Sequence, residues 1–322
     1  MWNQLLKTME NSRCLYCYGP IEEGLDFHEK CSMDFFGVKE APIIEYSLDK
    51  MDVLAKQVIE RSIAVPGVQP KLSLSIVKKV KQNSNARLTV VGALGGRFIL
   101  KPPSALYSEM PENEHVTMRI AEEFGIRVAK SSLIRLASGE YSYITKRVDR
   151  GDKGEKIHML DMFQITEAFD KYRSSMEKVG KALDSYSGNT LLDKTYYFDL
   201  ALFSFLFGNN DMHLKNFSMI ETPFGWGLSS AYDLLNVAIV LVEDTEELAL
   251  TLCGKKKGLK RVHFEKFGEG LGMTSKQIEA AFERVIKGKS SALNWLEKSF
   301  LSKRMKDSYK MVLEKRYNQL EL

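Results

Sequence analysis

The sequence predicts an α+β protein in which a small β-rich lobe precedes a larger, mainly helical lobe. Three observations support this fold class. Cysteine and histidine residues crowd the first 45 positions, apolar and polar residues alternate between about 60 and 145, and helical periodicity dominates from about 158 onward. We therefore expect a Cys/His module at 1–45, a β-rich lobe at 46–150 and a helical lobe at 151–322.

The β-rich lobe is predicted from alternation. Leu72, Leu74 and Ile76 alternate with polar residues, and Phe98–Lys101 forms a second apolar run that ends at two prolines. Such short runs, separated by turn residues, are typical of strands that bury one face. The pattern predicts a small antiparallel sheet.

Helices are predicted from capping residues and apolar spacing. One helix is expected to begin near Glu112 and to end at Gly125. In the helical lobe, Asp193 is a candidate cap, Gly208 follows the same helix, and Thr274 begins a capping-box pattern. The apolar stripe expected on the helix after that box consists of Ile278, Phe282, Val285 and Ile286.

Composition and charge are those of an ordinary globular protein. The chain has 322 residues, with 46 Lys and Arg against 42 Asp and Glu, and this small basic excess does not indicate nucleic-acid binding. The amino-terminal segment lacks the apolar run of a secretory signal. The most apolar stretch, Leu200–Phe207, is much shorter than the roughly 20 residues that span a bilayer. We expect a cytoplasmic protein without membrane contact.

The strongest chemical signal is a polar loop between two apolar elements. Asp211, His213 and Asn216 lie in this loop, and Asp233 follows after a glycine-rich turn. Phosphoryl transfer needs one carboxylate to accept a hydroxyl proton, and an amide with a second carboxylate to hold magnesium. The spacing of Asp211 and Asn216 equals that of the corresponding residues in the kinase catalytic loop. The ordinary alternative is that both residues only cap or turn the loop.

Two upstream features fit the same chemistry. Lys101 ends the run Phe98–Lys101, as does the strand lysine that binds ATP phosphates in kinases, and Glu114 on the next helix is its candidate ion-pair partner. Taken singly, each could instead be a solvated strand-end lysine or a helix first-turn glutamate. The backbone of the segment Gly67-Val68-Gln69-Pro70-Lys71 could cover phosphates, although a loop with one glycine is more often a plain turn.

In this order, from about 60 to 240, these features resemble the HipA-type kinases, which are toxins of bacterial toxin–antitoxin modules. The resemblance implies a two-lobed, protein-kinase-like fold. The motifs that carry it are the 67–71 loop, Phe98–Lys101, Asn113-Glu114, Lys146–Arg150, Asp161–Gln164, the Asp211 loop and Tyr232-Asp233.

The resemblance implies roles for individual residues, with ATP and Mg²⁺ as cofactors. Asp211 would be the catalytic base, and Asn216 and Asp233 would be the magnesium ligands. Lys101, paired with Glu114, would bind the phosphates. His213 would lie beside them, as a catalytic residue and a nucleotide contact. The other implied nucleotide contacts are the hinge residues Lys146 and Val148 and the loop residues Gly67, Val68, Gln69 and Lys71.

The resemblance also implies partners. The chain has no room for a subdomain that precedes the loop in long HipA proteins, so it is more similar to the short HipT type, in which a separate small HipS-like protein supplies that part. An antitoxin of the HipB type is expected, with DNA contacted only through it. The protein substrate would be an aminoacyl-tRNA synthetase, whose phosphorylation arrests translation. Family members often autophosphorylate a loop serine, for which Ser62 is the nearest candidate because Ala64 occupies the usual position.

The amino-terminal cysteines suggest a separate metal site. Cys14 and Cys17, followed by His28 and Cys31, supply three thiolates and an imidazole, a full tetrahedral set for structural zinc. Reduced cysteines without metal remain the alternative. Cys253 stands alone and is expected in the core. The aromatic residues expected to form a small core around the zinc are Tyr16, Tyr18, Phe27, Phe35 and Phe36.

Two further functions stay open at this point. A kinase fold without activity could serve as a binding partner, although intact Lys101, Asp211, Asn216 and Asp233 argue against that interpretation. A two-metal phosphoesterase is faintly indicated by the segment 208–211, but such sites need more histidines than this chain offers, with five in total.

Overall fold

The computed structural model describes residues 12–51, 53–54, 71–77, 86–91, 95–151 and 153–322. The predicted loop residues Gly67, Val68 and Gln69, and the candidate Ser62, lie outside the described residues. The chain divides into two units: the first comprises Met1–His115 and Lys130–Arg147, and the second comprises Val116–Ala129 and Val148–Leu322.

The first unit contains a five-stranded antiparallel sheet. Leu72 and Leu74 are fully buried, as the alternation predicts, and Phe98 and Leu100 of the central strand are buried too. The order of the strands in the sheet is β2-β1-β3-β5-β4. The strands are β1 Leu72–Val77, β2 Arg87–Val90, β3 Phe98–Lys101, β4 Ser131–Arg135 and β5 Tyr141–Lys146.

The amino-terminal module packs on this sheet. It consists of a turn at residues 15–17 and helix α1, Glu29–Phe36, which ends at Gly37 with a left-handed backbone. The main-chain N–H of Leu133 in β4 donates to the carbonyl of Leu15 at 3.3 Å. The five aromatic residues expected in the module core, Tyr16, Tyr18, Phe27, Phe35 and Phe36, are all buried.

Helix α2, Met110–Glu123, begins two residues before the expected position. Gly125 follows it with φ 78°, the left-handed conformation that ends helices. The division between the two units falls within this helix, after His115. In the second unit, Phe124 packs edge-on against Phe203 and Phe207, with ring centroids 5.8 and 5.2 Å apart.

The second unit is mainly helical. Its helices are α3 Met162–Ile165, α4 Met176–Tyr186, α5 Thr190–Leu206, α6 Arg261–Gly270, α7 Ser275–Lys298 and α8 Lys303–Gln319. Its small antiparallel sheet has the order β6-β7-β8, formed by β6 Met159–Asp161, β7 Ser218–Thr222 and β8 Gly225–Leu228. The apolar stretch 200–207 is buried, and within the described residues no helix combines the length and apolarity that crossing a membrane requires.

The predicted cap at Asp193 is wrong. Helix α5 begins at Thr190 with Asn189 as its N-cap, so Asp193 lies inside the first turn. Its buried carboxylate instead accepts hydrogen bonds from the Leu228 main-chain N–H at 2.8 Å and the Ser187 hydroxyl at 2.7 Å. A carboxylate in the first turn is favourable to the helix, and here it also ties the helix to β8.

Two predictions of burial are also wrong. Cys253 is exposed, and it lies in a turn of the chain with a left-handed backbone (φ 50°). Ile286 is 45% exposed, whereas Ile278, Phe282 and Val285 are buried. At about 100° per residue, position 286 falls on the flank of the stripe. The capping box at Thr274 is present at the start of α7.

Candidate active site

A required glycine connects α5 to the polar loop. Gly208 follows the helix with φ 66°. A Cβ atom at this position would lie 2.5 Å from Asn236 Oδ1 and 2.9 Å from Val312 Cγ1. Both the backbone conformation and the lack of space therefore demand glycine. This turn directs the chain from a buried helix into the loop that carries Asp211.

The loop is held by its own backbone. The main-chain carbonyl of Asp211 accepts hydrogen bonds from the His213 N–H at 2.8 Å and from the Asn216 side-chain amide at 3.1 Å. The Asn216 N–H in turn donates to the His213 carbonyl at 2.9 Å. These bonds bring Asp211, His213 and Asn216 together, as their spacing predicts, and the side-chain carboxylate of Asp211 takes no part in them.

Asp233 approaches the same loop. Its carbonyl accepts a hydrogen bond from the Asn209 side chain at 3.3 Å, and its φ of 57° is unusual for a residue other than glycine. Such strain is often found at functional sites. The neighbouring Tyr232 hydroxyl donates to the Lys215 carbonyl at 3.0 Å, which fixes the segment beside the loop.

Burial and nearby carboxylates shift the pKa of His213 in opposite directions. Burial lowers the pKa of His213, and the carboxylates of Asp211 and Asp233 act in the opposite direction. His213 Nδ1 is buried and has no hydrogen-bond partner among the described residues. Burial therefore favours a neutral imidazole, although the carboxylates of Asp211 and Asp233 both favour its charged form.

The sequence interpretation missed Tyr172. Its hydroxyl donates to Asp211 Oδ1 at 2.9 Å, and its ring packs edge-on against His213 with centroids 5.1 Å apart. Burial, followed by the nearby Asp211 carboxylate, raises the pKa of Tyr172. Tyr172 precedes Asp211 by 39 positions, and no spacing pattern links residues so far apart in the chain.

In the first unit, Lys101 and Glu114 form the expected ion pair. Lys101 Nζ lies 2.6 Å from Glu114 Oε1, and the two side chains are only 5% and 2% exposed. The ammonium group also lies 5.3 Å from the centre of the Tyr143 ring. A buried ion pair is stable only if the attraction between its two charges offsets the hydration that each charge loses, which requires close contact. The roles of these two residues in catalysis stay predictions.

Three further predicted nucleotide contacts, Lys71, Lys146 and Val148, lie in the part of the chain that the structure describes. Lys71 precedes β1, and because Leu72 pairs with Leu100, the next residue pair in this register is Lys71 and Lys101. Lys146 ends β5, and its ammonium donates to the Asp34 carbonyl at 3.3 Å. Val148 is the first residue of the second unit after β5.

A second cluster lies in the amino-terminal module. The ligand atoms of Cys14, Cys17, His28 and Cys31 all lie within 4.8 Å of one another. His28 Nδ1 is 3.4 Å from Cys17 Sγ and 3.6 Å from Cys31 Sγ. In a tetrahedral zinc site, bond lengths of about 2.3 Å to sulfur and about 2.0 Å to nitrogen separate such atoms by about 3.5 Å. The four residues therefore fit a zinc ion.

One neighbouring group orients the histidine of this cluster. His28 Nε2 is 2.9 Å from the Pro20 carbonyl, and donation to that oxygen leaves Nδ1 as the ligand atom. The hydrogen bond between the Cys14 and Cys17 thiols lowers the pKa of Cys14 and raises the pKa of Cys17. Cys14 is therefore the first of the two to form the thiolate, the form of cysteine that binds metals.

Comparison with known proteins identifies related sequences. A family model described as HipA-like C-terminal domain matches residues 63–293. A protein named "Putative kinase" from Haemophilus influenzae is 26% identical over 272 residues, which cover 75% of this chain and 77% of that protein. The serine/threonine-protein kinase toxin HipA of Shewanella oneidensis is 26% identical over 250 residues, covering 70% of this chain and 55% of HipA. The chain thus spans about half the length of that relative.

Two solved structures have a similar fold. A chain from the Shewanella oneidensis structure of HipA, HipB and operator DNA matches with a TM-score of 0.65 and 23% identity, covering 83% of this chain and 71% of its own length. The proinflammatory kinase CtkA of Helicobacter pylori matches with a TM-score of 0.53 and 13% identity. The match covers 77% of this chain and 93% of the CtkA chain. The predicted α+β, kinase-like fold class is confirmed by these likenesses.

Proposed function

The chain belongs to the family of HipA-like C-terminal domains, and from this premise we propose that it is an ATP- and magnesium-dependent protein serine/threonine kinase. The observation that carries the proposal is the geometry of the second unit, where Asp211, Asn216 and Asp233 approach one another around a loop held by its own backbone. Relatives named as kinases support the same reaction class.

The proposed reaction moves the γ-phosphoryl group of ATP to a hydroxyl of a protein substrate. The bond between this phosphorus and the β,γ-bridging oxygen breaks, ADP leaves, and a new phosphorus–oxygen bond forms to the acceptor. Asp211 accepts the acceptor's proton, since its carboxylate takes no part in holding the loop. Lys101 neutralises phosphate charge while Glu114 orients its side chain. Magnesium, when bound, supplies further charge neutralisation, and Asn216 and Asp233 are the residues that would hold it.

The remaining nucleotide contacts are proposed by analogy with the family. Lys146 and Val148 form the hinge, and His213 lies on the loop itself. The segment with Gly67 and Lys71 would cover the phosphates. Ser62 is the candidate for autophosphorylation.

We propose a toxin role on the strength of the relatives. One relative is named a kinase toxin, and a structural neighbour was solved with HipB and operator DNA. The corresponding partner of this chain would be a HipB-type antitoxin, which alone would contact DNA, together with a small HipS-like protein of the kind that accompanies HipT. The proposed substrate is an aminoacyl-tRNA synthetase in the cytoplasm, and its phosphorylation would arrest translation.

The Cys14, Cys17, His28 and Cys31 cluster is proposed to bind one structural zinc ion. Four protein ligands leave no open position for a substrate, so this metal would take no part in phosphoryl transfer. Its contribution would be to the folding of residues 1–45.

The test is transfer of labelled γ-phosphate from Mg-ATP into the chain itself and into proteins of a bacterial lysate. The wild type is compared with Asp211→Asn, and with Asp184→Asn as a matched control in which an exposed carboxylate paired with Lys194 is changed. Label is expected with the wild type and with Asp184→Asn, and it should be absent with Asp211→Asn.

A labelled band would then be identified by mass spectrometry, beginning with the aminoacyl-tRNA synthetases. Binding of Mg-ATP without label in any lane would overturn the proposed activity in favour of an inactive kinase fold. Label that persists in Asp211→Asn would show that Asp211 is not the base.

A further inference from the structure

The Cys/His cluster is connected to the helix that carries Glu114. Tyr18 follows Cys17 directly, and its N–H donates to the Cys14 carbonyl at 2.9 Å, so its backbone is part of the ligand turn. Its hydroxyl lies 2.9 Å from His115 Nδ1, and the two rings pack edge-on with centroids 5.2 Å apart. His115 is the neighbour of Glu114 in α2 and is fully buried.

The cluster is also connected to the strand that carries Lys101. Cys31 lies in α1, whose last two residues are Phe35 and Phe36. Their ring centroids are 5.7 and 6.0 Å from that of Phe98, the first residue of β3. Lys101 is the last residue of that four-residue strand.

Residues on the same turn and helix as the Cys/His cluster therefore contact the elements that carry both members of the Lys101–Glu114 pair. Each contact is buried, and buried side chains transmit displacement because the protein interior is close-packed. A module of about 45 residues has little apolar core of its own, so metal ligation would add to its packing on the sheet in holding these aromatic residues in position.

We propose that zinc bound by Cys14, Cys17, His28 and Cys31 positions the Lys101–Glu114 ion pair, with Tyr18 and His115 as the positioning residues. The inference rests on the proposed function, because it assigns the ion pair to ATP binding. The ligand class is a tetrahedral divalent metal that favours thiolates, which zinc satisfies. Loss of the metal lowers ATP affinity without touching Asp211 or the loop of the second unit.

The test uses two tyrosines of the same turn. Tyr18→Phe removes the hydroxyl that contacts His115, whereas Tyr16→Phe removes a hydroxyl that donates to Asp34 within the module at 2.6 Å. The full chain of each variant is purified in the Asp211→Asn background, in which binding can be measured without turnover. Zinc content, the dissociation constant for Mg-ATP and amide hydrogen exchange of the helix Met110–Glu123 are then compared.

All these chains are expected to hold about one equivalent of zinc. Tyr18→Phe should weaken Mg-ATP binding about tenfold and speed exchange in the helix, and Tyr16→Phe should do neither. Replacing the zinc ligand Cys31 by serine should remove the metal and reproduce both effects more strongly.

Equal behaviour of the two tyrosine variants would overturn the positioning role, and zinc below about half an equivalent in the parent chain would overturn the metal site. Failure of the parent chain to bind Mg-ATP would instead count against the proposed function. In that case hydrogen exchange, which needs no nucleotide, still decides whether Tyr18 positions the helix.

Discussion

The two units differ in how they fix the charged residues of the predicted site. In the first, Lys101 and Glu114 satisfy each other in a buried pair whose position depends on the elements around it. In the second, the loop that carries Asp211 is fixed by hydrogen bonds among its own residues, and the carboxylate of Asp211 accepts a hydrogen bond from Tyr172, outside the loop. We therefore expect substitutions in the first unit to change stability and activity together, and substitutions at Asp211 in the second unit to change activity alone.

The largest expected effect is on the ion pair. Lys101→Met and Glu114→Gln each remove one charge of a buried ion pair, which should lower the free energy of unfolding by about 3–5 kcal/mol and abolish phosphotransfer. The double variant should regain part of that stability but no activity, as measured by urea unfolding and label transfer.

Lys130→Met serves as the control for the ion pair, because the Lys130–Asp34 pair is about half exposed and should contribute less than about 1 kcal/mol. If the single variants at Lys101 and Glu114 lose no more stability than this control, the pair is not the tightly matched unit described above.

The second prediction tests whether activity can be lost in the second unit without a loss of stability. Asp211→Asn should lower kcat by a factor on the order of 10³, because the general base is lost, while the midpoint of urea unfolding stays unchanged. The loop is held through the Asp211 carbonyl, which the substitution keeps. A drop in stability as large as that of Glu114→Gln would mean that the two regions are not distinct in the way proposed.

The third prediction concerns the turn before the loop. Gly208→Ala should cost about 2 kcal/mol of stability, since it adds both a left-handed strain and a clash with Asn236 and Val312. Gly254 has a similar φ, 74°, but no atom lies within 4 Å of a Cβ added there. The loss of stability in Gly254→Ala therefore measures the cost of the backbone strain without a clash. Equal losses in thermal or urea unfolding would show that the second unit relaxes around the clash.

The smallest expected effect is the pH dependence of stability caused by Glu112, which lies two residues before Glu114 in α2. Burial, followed by Glu109, raises the pKa of Glu112 to about 7, so the protonated form is favoured in the folded state. The stability this contributes is complete below about pH 4.5 and is lost as the pH rises toward 7.

Glu112→Gln should remove this pH dependence and raise the unfolding free energy at pH 8 by on the order of 1 kcal/mol, opposite in sign to Glu114→Gln. Urea titrations between pH 5 and pH 8 would contradict the prediction if the wild type and Glu112→Gln remained parallel.

Much of the fold could be predicted from local pattern. The alternation at Leu72 and Leu74, the capping box at Thr274 and the clustered Cys/His residues each depend on neighbours a few positions away, and all three are present in the structure. Local signals also led to errors. Asp193 has the residue type of a cap, but its partners Leu228 and Ser187 belong to other elements that only folding brings close.

Residue type and spacing predict phosphoryl-transfer chemistry without any knowledge of the fold, because they put a carboxylate and an amide on one short loop at Asp211 and Asn216. The side chains around these two residues could be identified only from the folded structure. The Tyr172 hydroxyl donates a hydrogen bond to Asp211, and the Tyr18 hydroxyl contacts His115, which lies 97 positions away in the sequence. The physical reason is that spacing encodes contacts within a turn or helix, whereas contacts between distant segments follow from how buried faces pack.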